Sequence, residues 1–327
     1  MMTICGAFFA SCDDDVNNGP GNWDGDNVTL DGGDYTYWTY FNFETGEQRK
    51  LNIEPSTGGV PGQYTGNGEI SVQGSVEDVT INITELSQDS LLVIVDTFSF
   101  SMGSMGGDFA FSIRCGVTKT DTEWTLNGGP VSGVECGDMT LNEVTLTGTI
   151  GTSEDSQAQL SVSFKPGSMP MPITFAYTST SRESSTYAIA GDETSFDWHI
   201  AIHKYDFKTN GCAVAEVSTQ DLSGVDLTTA ESLTYTGDTE GHVLNVDLST
   251  MMEGYVGTMT SPLNEVLSGW VTATPTGSMP PYTYELNSNV FVIRMADGQY
   301  AKVQFLDYSN DNDQAAYANM NYEYPLQ

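Results

Sequence analysis

Apolar and polar residues alternate in short runs along nearly the whole chain, and no segment sustains the 3.6-residue apolar period that a long helix requires. The runs are Tyr35–Phe43 (YTYWTYFNF), Val79–Thr84, Leu91–Val95, Val144–Ile150, Leu160–Phe164, Ile173–Tyr177, Phe196–Phe207, Val290–Met295 and Gln299–Leu306. Gly, Asn, Asp and Pro fill the gaps at hairpin spacing, and Asp297-Gly298 between two runs is a two-residue turn signal. The pattern predicts an all-β chain of antiparallel strands. The one helical expectation is a turn or two within Pro262–Trp270. With 327 residues, 39% of them hydrophobic, the chain can bury one large core or two ordinary ones.

The formal charge of −34 bounds the partners. Such a surface repels phosphate backbones, which argues against nucleic-acid binding. It also repels anionic headgroups, so contact with a membrane requires a covalent anchor. As a plain surface property, the charge keeps an exposed protein soluble. The sequence contains no Walker loop, GxSxG or HExxH, and no Cys/His set at zinc spacing, so the reading is of a binding protein rather than an enzyme. Cys115 and Cys136 lie in neighbouring strand-like runs where a disulfide is conceivable, which would leave Cys212 as a thiol.

The N-terminus reads as an address. A short apolar run ends in Ala10-Ser11-Cys12, the form of a lipobox, and is too short to span a bilayer. Residues 1–12 are read as a signal remnant; the basic n-region is absent, so the natural start is expected upstream. Cys12 would carry the acyl chains. The triplet Asp13-Asp14-Asp15 resembles the export signal that sends Bacteroidetes lipoproteins to the outer face of the outer membrane. Residues 13–30, rich in Asp, Asn and Gly, are expected to form a flexible tether.

Composition shifts near Pro55–Gly62 (PSTGGVPG) and Thr178–Ser185 (TSTSRESS) bracket a series of short strands separated by Gly turns. Residues 56–178 are therefore expected to be a small β-barrel or sandwich inserted into a second unit, 31–55 plus 179–327. In that outer unit, WTYFNFETG from Trp38, DWHIAIHKYDFKTNG from Asp197, VDLSTMM from Val246, LNEVLSGW from Leu263, GSMPP from Gly277 and VFVIRMADGQYAKVQF from Val290 follow in order. Together they resemble the HmuY family of haem-binding lipoproteins of Bacteroidetes, over about half the chain. The inserted part resembles the calycin-like barrels found in such lipoproteins.

The resemblance implies a surface lipoprotein that clamps haem between loops and passes it to a TonB-dependent outer-membrane receptor for iron and haem acquisition, with host haemoproteins as possible sources. It places the axial ligands in the loops Ser249–Met252 and Gly277–Pro280, where this chain has methionines and no histidine. Met252 and Met279 are thus the expected iron ligands, with Met251 the alternative to Met252. Haem iron accepts thioether sulfur, which favours the ferrous state and does not titrate. Tyr255, Trp270, Tyr282 and Tyr284 are the nearby aromatics expected to line a porphyrin.

Other residues carry weaker claims. His199 and His203, four apart in one strand-like run, would share a face and suit a metal, but that run reads as a central structural strand. His242, ten residues before Met252, is an understudy ligand. Met169 and Met171 (SMPMP) mimic the second loop but read as packing or surface. Asp307, Ser309, Asp311 and Asp313 alternate as calcium ligands do, without the turn glycine or bidentate glutamate, and read as a solvated hairpin. The rival reading of the whole chain is a surface module that binds glycan or host protein, with no haem role.

Overall fold

The computed structural model describes residues 25–327 other than 57, 58, 103, 104, 137, 138, 154 and 254. Cys12 and the signal remnant lie outside the described residues. The expected tether ends earlier than residue 30. Asp26–Asp31 is a strand that adds to Ala315–Glu323 in antiparallel register, because Leu30 is fully buried against the core and Val28 packs on it.

Eight strands close into an up-and-down barrel: Gly62–Ile70, Gly74–Ser87, Ser90–Met102, Met105–Lys119, Glu123–Val131, Met139–Gly151, Ala158–Pro166 and Ile173–Ser184. Each pairs antiparallel with the next, and Ile173–Ser184 returns to pair with Gly62–Ile70. Alternation produces the closure. In Ala158–Pro166 every second residue is buried, so one face fills the lumen while the other meets solvent. Phe98, Phe109, Phe164 and Phe175 stack as an aromatic layer inside, with centroid separations of 4.9 to 6.3 Å. Glu85 and Lys119 form an ion pair, with the ammonium 4.1 Å above the Trp124 ring. Cys115 is a free, buried thiol, so the bond to Cys136 weighed from spacing is not formed. The barrel's last strand runs six residues beyond 178.

Val134–Cys136 pairs onto Met139–Gly151, and the strands outside the barrel build two two-stranded hairpins and two larger sheets. One holds six strands in the order Asp26–Asp31, Ala315–Glu323, Tyr300–Ser309, Val290–Arg294, Ala213–Val217, Thr236–Gly237. The other holds five, in the order Tyr187–Ile189, Gln48–Pro55, Tyr37–Phe41, Ile200–His203, Asp206–Thr209. Their central strands are buried on both faces, as in Ile200–His203 and Val290–Arg294, which is why those segments read as unbroken apolar runs. The barrel's apolar cluster draws only on residues 60–177, and the clusters of the two sheets draw only on residues outside that range.

Phe196–Phe207 is not one strand. A 3-10 turn at Glu193–Ser195 precedes it, and the chain reverses after Ile200–His203 to return as Asp206–Thr209. Lys204 makes the reversal with φ of 54°, pinned by its ammonium to the Gly33 carbonyl at 2.7 Å. The expected helical turn near Pro262–Trp270 is Glu265–Ser268, capped by the Asn264 side chain accepting from the Leu267 N–H at 3.0 Å. Asp297-Gly298 turns the chain between Val290–Arg294 and Tyr300–Ser309, as expected.

Candidate functional site

Two hairpins flank the Glu265–Ser268 helix along the chain. The first pairs Thr239–Asp247 with Gly257–Leu263, and the second pairs Val271–Pro275 with Tyr282–Leu286. Their connections carry the methionines singled out by sequence. Met251 opens a 3-10 turn, Met251–Glu253, with its N–H bonded to the Leu248 carbonyl at 3.1 Å. Asp247 shapes the approach by accepting from the Ser249 N–H at 2.8 Å, and Thr250 Oγ1 donates to the Tyr255 carbonyl at 3.0 Å. In the second connection, Thr276 is the organiser. Its N–H reaches the Pro281 carbonyl at 2.9 Å, and its hydroxyl donates to the Ser278 carbonyl at 2.9 Å. These local bonds fix the loops while leaving their side chains outside.

Met252 is 91% exposed, Met279 87% and Met251 55%. A large apolar side chain standing almost wholly in water contributes nothing to a core, which leaves it available to an external contact. The fourth strongly exposed large hydrophobic residue is Met171, at 71%, while its neighbour Met169 packs on the barrel core.

The aromatics divide. Tyr282 is half-exposed at the second tip. Tyr284, two residues on, stacks on Tyr205 at 4.8 Å and lies 6.1 Å from Tyr308. This ladder links tip to body, and sequence reading missed Tyr205 and Tyr308 as members; period-2 spacing of Tyr282 and Tyr284 was the only available signal. Tyr255 is partly buried beside the first loop. Trp270 does not line a porphyrin. It is fully buried, its Nε1–H donates to the Tyr205 carbonyl at 2.8 Å, and its ring packs on Phe305 at 4.8 Å, so neither face is open.

The histidines are occupied. His199 lies in a bend before the strand begins, so strand alternation does not reach it and it shares no face with His203. Its Nδ1 accepts from the Phe43 N–H at 3.0 Å, and burial lowers its pKa. His203 is buried against Trp38, and its Nε2 bonds the Tyr35 carbonyl at 3.0 Å; burial pushes its pKa down to about 4. His242 lies within the first hairpin's strand, 2.8 Å from the Thr239 hydroxyl, rather than at the loop. Asp307 is spent on the Ser309 N–H at 2.9 Å, and no group of three or more His, Cys, Asp or Glu suited to a metal occurs among the described residues.

A separate cleft of about 690 Å³ opens beside the five-stranded sheet, lined by Tyr187, Glu193, Phe196, Asp197, Trp198 and Lys208 among others. Lys208 is buried, paired with Glu193 and set 4.4 Å over the Trp38 ring. Burial lowers its pKa, opposed by Glu193.

The closed barrel, the two-sheet body and the two hairpins define an all-β protein. The HmuY protein family matches residues 34–324, and the chain belongs to that family. Among solved structures, apo PinO from Porphyromonas gingivitis is 14% identical, with 92% of this chain and 97% of that one covered and a TM-score of 0.46. The apo HmuY analog of Tannerella forsythia is 17% identical, covering 93% and 96%, with a TM-score of 0.43. A candidate HmuY-like heme binding protein from Bacteroides vulgatus is 32% identical over 42% of this chain and 75% of its own, with a TM-score of 0.35. Among curated proteins, none matches the chain.

Proposed function

We propose that this chain binds haem between the tips of its two hairpins, with the thioethers of Met252 and Met279 as axial ligands and Met251 as the alternative first ligand. The observation that carries the reading is exposure: three of the four most exposed large hydrophobic side chains among the described residues are these methionines. Family membership and the heme-binding description of the Bacteroides vulgatus relative support it. In this reading Tyr282, Tyr284 and Tyr255 line the ring, and the tip loops carry no Lys or Arg, so the propionates would face solvent. In this reading the protein is a surface lipoprotein anchored through Cys12. It carries haem rather than transforming it and hands it to a TonB-dependent outer-membrane receptor. The barrel, enclosing its own core, is the inserted unit of the pair expected at 56–178.

The test is a haemin titration of the protein from residue 13 onward, followed by absorbance with and without dithionite. A sharp Soret band with low-spin features, strongest when reduced, is expected. One specific feature favours the rival reading: the acidic, aromatic-lined cleft suits a neutral glycan better than an anionic porphyrin. A broad, unshifted haemin spectrum in both redox states would move the assignment there.

A further inference from the structure

We infer that the segment leaving the barrel splints the first methionine loop, and that Tyr187, at the edge of the five-stranded sheet, is the positioning residue through which it does so. The inference rests on the haem reading for its purpose but not for its geometry.

The first hairpin is held at both ends by the barrel and its exit. Three residues after the last barrel strand, the Tyr187 phenol donates to Asp247 Oδ2 at 2.6 Å. Asp247 is the residue whose other oxygen caps Ser249 and so starts the methionine loop. Beside it, the Thr258 N–H donates to the Ser185 carbonyl at 2.9 Å, and Thr186 and Thr258 form a parallel bridge. The Tyr187 ring presses on Gly257, the residue paired with Asp247 across the hairpin; a Cβ there would lie 2.3 Å from the ring. At the opposite end of the hairpin, Gly241 with φ of 86° sits under Gln88, in the turn between the second and third barrel strands, where a Cβ would come within 2.8 Å of the amide. The hairpin also packs along Gly74–Ser87.

The second hairpin differs. Its loop is braced internally by Thr276 and through the tyrosine ladder to the body, and none of those bonds reaches the barrel. One ligand loop is therefore tied to the segment that leaves the barrel and enters the five-stranded sheet, and the other to Tyr205 and Tyr308 of the body. The spacing between the two thioethers then depends on how this exit segment sits, and a partner that displaces it can loosen one side of a bound haem without touching it.

Hydrogen exchange of the ligand-free chain tests the splint, and haemin release tests its use. In Tyr187→Phe, amide exchange from Ser249 to Met252 is expected to rise roughly tenfold, the factor for losing one hydrogen bond to a charged group. Exchange at Gly277 to Met279 should stay as in the wild type, and bound haemin should dissociate several-fold faster. Tyr187→Leu removes the same bond while leaving the Asp247 cap of Ser249 in place, and serves if Tyr187→Phe does not fold. Unchanged exchange at Ser249 to Met252 in the variant that folds overturns the inference. Raised exchange in a protein whose wild type gives no Soret band upholds the splint and removes the haem assignment instead.

Discussion

His203 and Asp206 are register partners across the reversal at Lys204 and Tyr205, and burial drives their ionisations toward each other, the imidazole down to about 4 and the carboxyl up to about 6. Between these values both are neutral. Their effects on stability have opposite sign. From pH 4 to 6.5 the unfolded chain binds the histidine proton more than the folded one, so this term gains stability as pH rises; it is complete above 6.5 and lost on descent toward 4. The aspartate has its folded pKa above the unfolded 3.8, so its term is present at low pH and is lost as pH rises toward 6.

The first prediction follows. Urea midpoints at pH 4.5 and 6 should show a steeper rise of stability with pH in Asp206→Asn than in the wild type, because the opposing term is gone. His203→Phe should tilt the other way. For His203 alone the term amounts to about 3 kcal/mol across its window. Equal pH slopes in all three proteins would show that this pair does not titrate as described.

Removing a tip thioether should abolish the low-spin haem spectrum without unfolding. Met279→Ala and Met252→Ala are each expected to leave the urea transitions within about 0.5 kcal/mol of wild type, since both side chains stand in solvent. If Met252→Ala keeps the spectrum and Met251→Ala loses it, the first ligand is Met251. Retention of the spectrum in Met279→Ala would remove the second ligand assignment.

Thioether ligation carries no proton. Haem binding by the wild type should therefore be nearly flat in absorbance titrations between pH 5 and 8, whereas Met279→His should weaken below about 6.5 as the imidazole protonates. A wild-type dependence as steep as that of the histidine variant would implicate a titrating ligand.

Trp270→Ala should cost the body about 3 to 5 kcal/mol through a cavity under Phe305 and an orphaned Tyr205 carbonyl. Because barrel and body enclose separate apolar clusters, denaturant unfolding followed by probes in each should shift the body's transition and leave the barrel's in place. A common shift would mean the two unfold as one.

Strand identity and most turns were legible because period-2 alternation and Asp-Gly are local signals. The reversal inside DWHIAIHKYDF was not. It relies on Lys204 reaching Gly33, a contact 171 positions away, in place of a turn residue. Tyr35–Phe43 reads as an alternating run, yet its strand Tyr37–Phe41 is covered on both sides: Trp38 and Tyr40 face one cluster and Phe41 another. The methionine loops were legible only through resemblance to a family, since a Met beside a Pro looks the same whether it packs, like Met169, or stands clear, like Met279. Trp270 shows the reverse failure: its distance in sequence from the loops was short, but the helix at Glu265–Ser268 turns it inward.

Pro55 and Tyr187 are register partners, and the Ser56 N–H bonds the Thr186 carbonyl at 2.9 Å, so the chain leaves and re-enters the five-stranded sheet at facing positions. To that sheet, residues 56–186 are a hairpin turn of unusual length. A unit whose ends emerge side by side, as the first and last strands of a closed barrel must, meets the Pro55–Tyr187 pairing of that sheet in register. At this point the two outer-body segments thus meet the folding problem of an ordinary β-hairpin.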